Sequence, residues 1–299
     1  MEVIVKTQNL TKKFGEKIAV NNVSMTIRRG DIYGFIGRNG AGKTTAMRII
    51  LGMARPTSGS VELFGGEELS VARRKIGSLI ESPGLYDACT AFENLKRFSI
   101  LYGGTDAEIK DILELVGLAE TGKKKAGQFS LGMKQRLGLA VALLGNPEFL
   151  VLDEPANGLD PGGMIDIRNV ILTLNKEKGV TVLVSSHLLD ALAKIVTRYG
   201  IINDGTLVEE VDAAELSARC AGGLRIVSND PDRTAEIIKT DFGIQDYTVN
   251  GAAVILQNNG SYIDSAKINA ALVGAGIGVS ALYSQNTGLE DYFVARLGK

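Results

Sequence analysis

Apolar and polar positions along the chain change period twice, and the changes divide it. Short apolar runs come first. Val3–Thr7, Val20–Ile27 and Ile32–Ile36 read as strands. A glycine-rich turn then gives way to a helical pattern over Thr44–Gly52. Arg55-Pro56-Thr57-Ser58-Gly59 reads as a turn, and Ser60–Leu63 and Lys75–Ile80 as further strands. From Thr90 to about Ala119 the apolar positions Leu95, Phe98, Ile109, Ile112, Leu113 and Val116 recur at helical spacing. Helix Leu131–Leu144 stops at Asn146-Pro147. Strand Phe149–Leu152, helix Met164–Lys178 and strand Val180–Val184 follow. Apolar strands alternating with helices predict an α/β fold with a parallel sheet covered on both faces.

The second change comes near residue 205. Asp204-Gly205 is a hairpin signal between Tyr199–Ile202 and Thr206–Val208. Ala213–Arg219 reads as a short helix and Ala221-Gly222-Gly223 as a linker. Beyond it lie strand Leu224–Val227, helix Thr234–Thr240, strands Tyr247–Val249 and Ala252–Leu256 around Asn250-Gly251, helix Ile263–Val273, strand Val279–Tyr283 and helix Leu289–Leu297. That order, βαββαβ with a terminal helix, predicts a small α+β, ferredoxin-like domain. The expected division is a first domain over 1–219, with a helical subdomain at about 85–145, and an accessory domain over 220–299.

Composition removes several function classes. The formal net charge is −1, so no general basic surface for nucleic acid is expected. The start MEVIVKTQ lacks a secretory pattern, and the longest strongly apolar stretch, Leu137–Gly145, is too short to span a bilayer. Cys89 and Cys220 make neither a metal-spacing pattern nor a disulfide framework, which fits a reducing cytoplasm. Thirty-six glycines stand out, several of them where a backbone could touch a phosphate.

The densest chemistry lies between a strand and a helix. GRNGAGKT, Gly37–Thr44, fits G-x-x-x-x-G-K-[ST] in the strand-then-helix context that pattern requires. Glycines let such a loop curl so that N–H groups point inward, and the helix N-terminus adds partial positive charge. Lys43 can reach β- and γ-phosphates, and the Thr44 hydroxyl can hold Mg²⁺. FLVLDE, Phe149–Glu154, brings two carboxylates to the C-terminal end of a buried strand, the edge where ligands bind in open parallel sheets. There Asp153 can join the Mg²⁺ shell, and Glu154 can orient and deprotonate a water. FSLGMKQR, Phe129–Arg136, opens a helix that Ser130 can cap, and Gly132 permits close backbone approach. Alone, that stretch reads as an ordinary capped helix. His187, the only histidine, follows the strand Val180–Val184 and two serines, and alone reads as packed or solvated.

In this order the motifs resemble those of the ATP-binding subunits of ABC transporters, over about residues 1–211. The resemblance implies ATP and Mg²⁺ as cofactors. It makes Phe14 the aromatic that stacks on adenine. Gly37, Asn39, Gly40, Ala41, Gly42, Lys43, Thr44 and Thr45 become the phosphate loop. FSLGM resembles the LSGGQ signature through Ser130 and Gly132, with Leu131 and Met133 as departures. FLVLDE resembles the Walker B strand with its catalytic glutamate, and Asn157-Gly158-Leu159-Asp160 the D-loop. His187 matches the switch histidine that contacts the γ-phosphate. Glu81 falls where the family carries glutamine, which implies a role in catalysis or at the metal and adds a negative charge beside a triphosphate.

In this family one subunit's signature caps the ATP held by another, so the resemblance implies a homodimer or a close heterodimer. It also implies a separate membrane permease and a cytoplasmic position on the inner face of the membrane. ESPGLYDACTAFENL, SLGMKQRLGLA and the tail GLEDYF resemble the bacitracin and lantibiotic exporter ATPases of bacteria. The alternative is a soluble ABC ATPase acting on ribosomes or DNA. Those members carry two cassettes or a long coiled-coil insertion, and neither is present here. A P-loop GTPase has no place for FSLGM.

Overall fold

A parallel strand buried on both faces must be apolar along its whole length. Three runs meet that condition, and the first unit forms around them. The structure, a computed structural model, describes residues 2–81, 83–186, 193–220, 223–256 and 264–285, with 289, 292, 293 and 296 near the C-terminus. The chain divides into two compact units, Met1–Asp212 and Ala213–Lys299.

The first unit opens with β1 (Val3–Phe14), β2 (Lys17–Val23) and β3 (Thr26–Arg28). After strand β4 (Ile32–Ile36) and helix α1 (Lys43–Ile50), β5 (Ser58–Leu63) pairs with β1 and completes an antiparallel sheet. The run Val20–Ile27, expected as one strand, is broken. Asn22 takes a left-handed φ of 52°, and side chains replace the ladder there. The Ser24 hydroxyl accepts from Asn9 N at 2.9 Å, and the Thr7 hydroxyl accepts from Met25 N at 3.0 Å.

Helix α2 (Leu69–Ala72) and strand β6 (Ile76–Leu79) lead to helices α3 (Ala91–Ser99), α4 (Asp106–Leu115) and α5 (Leu131–Ala142). The helical stretch expected from Thr90 to Ala119 is two helices. Thr90 with Glu93 and Thr105 with Glu108 each form a reciprocal capping box, so a second N-terminus is written into the middle of the stretch. Each cap contributes about 1 kcal/mol.

Strand β7 (Phe149–Asp153), helix α6 (Pro161–Lys178), and strands β8 (Thr181–Ser186), β9 (Arg198–Asn203) and β10 (Thr206–Asp212) finish the unit. The central sheet runs β10-β9-β4-β8-β7-β6 and is parallel except for β10, which the Asp204-Gly205 turn sends back along β9. Every residue of β4, β7 and β8 is buried. Ile36 pairs with Ser186, and Asp153 with Ser185, so three strands end level on one edge. Beneath that edge Phe35, Met47, Ile50, Phe149 and Leu183 share one core with Ile4, Leu10 and Leu63 of the antiparallel sheet.

In the second unit, helix α7 (Ala213–Cys220) precedes β11 (Gly223–Ser228), α8 (Pro231–Phe242), β12 (Tyr247–Asn250), β13 (Ala253–Leu256), α9 (Ser265–Gly274) and β14 (Val279–Gln285). The strands form an antiparallel sheet in the order β12-β13-β11-β14. Leu224, Ile226, Val254 and Leu256 pack against Ile238 of α8 and against Ile268 and Leu272 of α9. The division falls before α7, where the sequence reading put it after Arg219. β10 stays paired with β9 up to Asp212, which holds the chain to the first unit to that residue. Gly223, read as linker, already begins β11. The start expected for helix Ile263–Val273 and most of the expected terminal helix lie outside the described residues.

Helix α5 crosses β6 at Gly77, where a Cβ would lie 1.9 Å from the backbone oxygen of Ala142. A backbone atom cannot swing aside as a side-chain end can. Gly77→Ala is therefore expected to cost about 1–3 kcal/mol or more, read as a lowered midpoint in thermal unfolding. Gly84→Ala, where a Cβ meets nothing within 4 Å, is the neutral control.

Candidate functional site

The level edge of β4, β7 and β8 carries the site. β4 ends at Ile36, and residues 37–42 form the loop into α1. Gly42 stands at the helix entrance with φ 104°, and a Cβ there would meet the Ala19 carbonyl oxygen at 2.4 Å, so only glycine fits. No side chain caps α1, which leaves its first N–H groups to face a ligand. Lys43 is only 5% exposed. Its Nζ donates to Gly37 O at 2.7 Å and to Arg38 O at 3.2 Å, and ion-pairs with Glu154 Oε1 at 3.2 Å.

Asp153, at the end of β7, is buried, and both its carboxylate oxygens accept hydroxyl bonds. Thr44 Oγ1 donates to Oδ2 at 2.6 Å, and Ser185 Oγ donates to Oδ1 at 2.6 Å. Ser185 Oγ also accepts from Glu154 N at 2.9 Å. Glu154 has a left-handed φ of 50°, uncommon outside glycine, and this turns the chain sharply at the strand end. One hydroxyl and one carboxylate are hard oxygen donors, suited to a Mg²⁺ that keeps several waters and phosphate oxygens for itself.

A cavity of about 330 Å³ opens above these groups, with Phe14, Lys17 and Ala19 on one side. Asn39, Gly40, Gly42, Lys43, Thr44, Thr45 and Glu154 line the other. Phe14, half-exposed at the β1–β2 hairpin, has Lys12 Nζ 4.9 Å from its ring centre. An aromatic face at one end and amides, a lysine and a carboxylate at the other suit a nucleoside polyphosphate. Within the loop, Gly37 and Ala41 are buried. Ala41 O accepts from Gly205 N at 3.0 Å, which ties the loop to the β9–β10 turn.

Other expected site residues are elsewhere. Glu81 follows β6 with φ 61°, and its carboxylate pairs with Arg48 Nη2 at 2.7 Å. It lines a different cavity of about 330 Å³, with Met53, Phe98 and Gly138. Ser130 caps α5, accepting from Met133 N at 3.3 Å. Asp160 caps α6, accepting from Gly163 N at 3.3 Å. These two helix entrances meet each other: a Cβ on Gly132 would be 3.6 Å from Leu159 Cδ2, and one on Gly158 would be 2.9 Å from Leu131 Cδ2. Neither Ser130, Gly132 nor Asp160 lines the cavity beside Lys43. His187 lies outside the described residues.

Sequence reasoning missed Ser185 and Arg48. For Ser185 a signal existed: a hydroxyl at the end of an apolar strand parallel to β7, on the ligand edge. For Arg48 there was none, because its pairing with Glu81 depends on how the turn after β6 bends.

A family model described as ABC transporter matches residues 20–157. The bacitracin transport ATP-binding protein BcrA of Bacillus licheniformis is 42% identical over 100% of this chain and 98% of its own length. The lantibiotic transport ATP-binding protein SrtF of Streptococcus pyogenes is 42% identical over 71% of this chain and 93% of its own. Among solved structures, the dimeric post-hydrolysis state of the ATP-binding cassette MJ0796 bound to ADP and Pi superposes with a TM-score of 0.63. It is 30% identical and covers 70% of this chain and 99% of that one. With a glycine-rich loop opening a helix, an acidic strand end and a likeness that runs its whole length, the chain belongs to the ATP-binding proteins of ABC transporters and is an ATP-binding, ATP-hydrolysing enzyme.

Proposed function

We propose that the chain powers a separate membrane permease in an exporter that removes antimicrobial peptides of the bacitracin or lantibiotic kind, for resistance or immunity. The observation that carries the reading is the full-length likeness to a bacitracin transport ATP-binding protein, at 42% identity. Among the described residues no helix is long and apolar enough to cross a membrane, so the path for a peptide is assigned to the permease. The chain then acts on the cytoplasmic face, peripheral to the membrane.

In this reading Phe14 stacks on adenine, and residues 37–45 hold the phosphates. Thr44 and Asp153 would hold Mg²⁺, which would supply positive charge against the charge that develops on the phosphate. Glu154 orients the attacking water and takes its proton. A phosphate that draws Lys43 Nζ also loosens its ion pair with Glu154, so substrate binding and release of the base are one event. His187 contacts the γ-phosphate. Glu81 takes part only by leaving Arg48. Ser130, Gly132 and Asp160 serve a second subunit's nucleotide, in a homodimer or a close heterodimer. Two facts support that: they lie off their own chain's cavity, and the similar MJ0796 cassette is dimeric. The second unit is read as a ferredoxin-like accessory domain, supported by its strand order and by helices packed on one face of its sheet.

Glu154→Gln is expected to lower turnover by about 10²-fold or more while leaving ATP binding intact. With ATP and Mg²⁺ it should elute as a dimer in light-scattering chromatography. A monomer under those conditions argues against the shared site. Glu81→Gln should keep hydrolysis within about tenfold of wild type and shift the preference between Mg²⁺ and Mn²⁺. Lost hydrolysis with normal ATP binding would overturn that expectation. Tagged Glu154→Gln, recovered with ATP and Mg²⁺ from solubilised membranes of the native cells, should bring down a polytopic membrane protein. Recovery of ribosomes or DNA-bound proteins instead would sink the exporter reading.

A further inference from the structure

Ser185 belongs to none of the motifs that the sequence displays, yet it touches two of the groups that matter most. It is fully buried at the C-terminal end of β8. The parallel register sets it directly beside Asp153 of β7, and neighbours in register project to the same face of a sheet. Its hydroxyl makes two bonds of opposite sense. It donates to Asp153 Oδ1 at 2.6 Å and accepts from Glu154 N at 2.9 Å. Thr44 Oγ1 takes the other oxygen, Oδ2, at 2.6 Å.

We propose that Ser185 is a positioning residue that sets the carboxylate of Asp153 and the backbone of Glu154 with one hydroxyl. A carboxylate turns about two bonds, and a single partner leaves its plane free to swing. Hydroxyls from two elements, one on each oxygen, fix that plane. Partners of this kind orient the groups that hold a metal. The second bond acts one residue later. Glu154 is held at φ 50°, a region that costs energy for a residue with a Cβ and that surrounding structure must enforce. The N–H that Ser185 accepts belongs to that strained residue, so the bond helps decide where the Glu154 side chain leaves the backbone. Serine and threonine can donate and accept through one small group, whereas alanine can do neither. The inference rests on the proposed roles of Asp153 as metal-holding carboxylate and Glu154 as base.

The test uses the full chain as wild type, Ser185→Ala, Ser185→Thr and Asp153→Asn. Mn²⁺ binding in the presence of ADP is followed by electron paramagnetic resonance. ATP turnover against Mg²⁺ concentration and ADP binding in chelator are measured beside it. Ser185→Ala is expected to weaken Mn²⁺ binding and lower kcat, each by about 10–100-fold, with ADP affinity in chelator unchanged. Ser185→Thr should recover most of both. A purely packing role would not separate metal-dependent from metal-independent binding in this way.

Ser185→Ala within about twofold of wild type in Mn²⁺ affinity and kcat overturns the proposal. So does a Ser185→Thr that unfolds at the wild-type temperature yet recovers neither. If threonine does not fold in the buried site, the alanine result decides alone. Asp153→Asn separates the failures. If it leaves Mn²⁺ affinity unchanged, the reading of Asp153 is wrong and the inference falls with it. If it weakens Mn²⁺ binding and Ser185→Ala does not, only the role of Ser185 is lost.

Discussion

The molecule depends on one alignment, the level C-terminal ends of β4, β7 and β8. Their interiors are apolar because both faces are covered, so polar groups are confined to the ends. Register then decides which polar groups meet. Asp153 stands beside Ser185, and Ile36 ends level with Ser186, so the loop that follows β4 curls over the carboxylates. Shift the pairing of β7 and β8 by one residue, and the Asp153 side chain would face the other side of the sheet. Thr44 and Ser185 would lose Asp153, and Lys43 would keep only the carbonyls of its own loop. The shared core beneath Phe35, Phe149 and Leu183 guards against that slip.

How much of this was legible in the sequence depended on the range of the interaction involved. The turn from β4 into α1 was legible because its glycines set local backbone geometry and the strand before it is apolar throughout. Asp153 and Glu154 were legible for the same reason, as acids at the end of a run that could only be buried. The capping boxes at Thr90 and Thr105 were also local, and they mark the helix starts that periodicity alone leaves open. The break in Val20–Ile27 was not legible, because long-range bonds with β1 make it, between Ser24 and the Asn9 backbone and between the Met25 backbone and Thr7.

The remaining features needed the fold. Ser185 meets Asp153 only through strand register. Glu81 resembles a site residue by its place in the chain, but its left-handed turn directs it to Arg48, 33 positions earlier. An acid in place of an amide can find a cation, and here it has one. The division between the units likewise follows a pairing, that of β10 with β9, and not a change in composition.

The family resemblance puts a glycine where this chain has Leu131, and the larger side chain leans over the turn that precedes Asp160. Any Cβ at 158 would have to push it aside, and the φ of 73° at that glycine disfavours one independently. Leu131 is half-exposed, so its end can swing aside, whereas the backbone at 158 cannot change without remaking the turn. Glycine at 158 is therefore favoured by the backbone itself, whichever residue stands at 131.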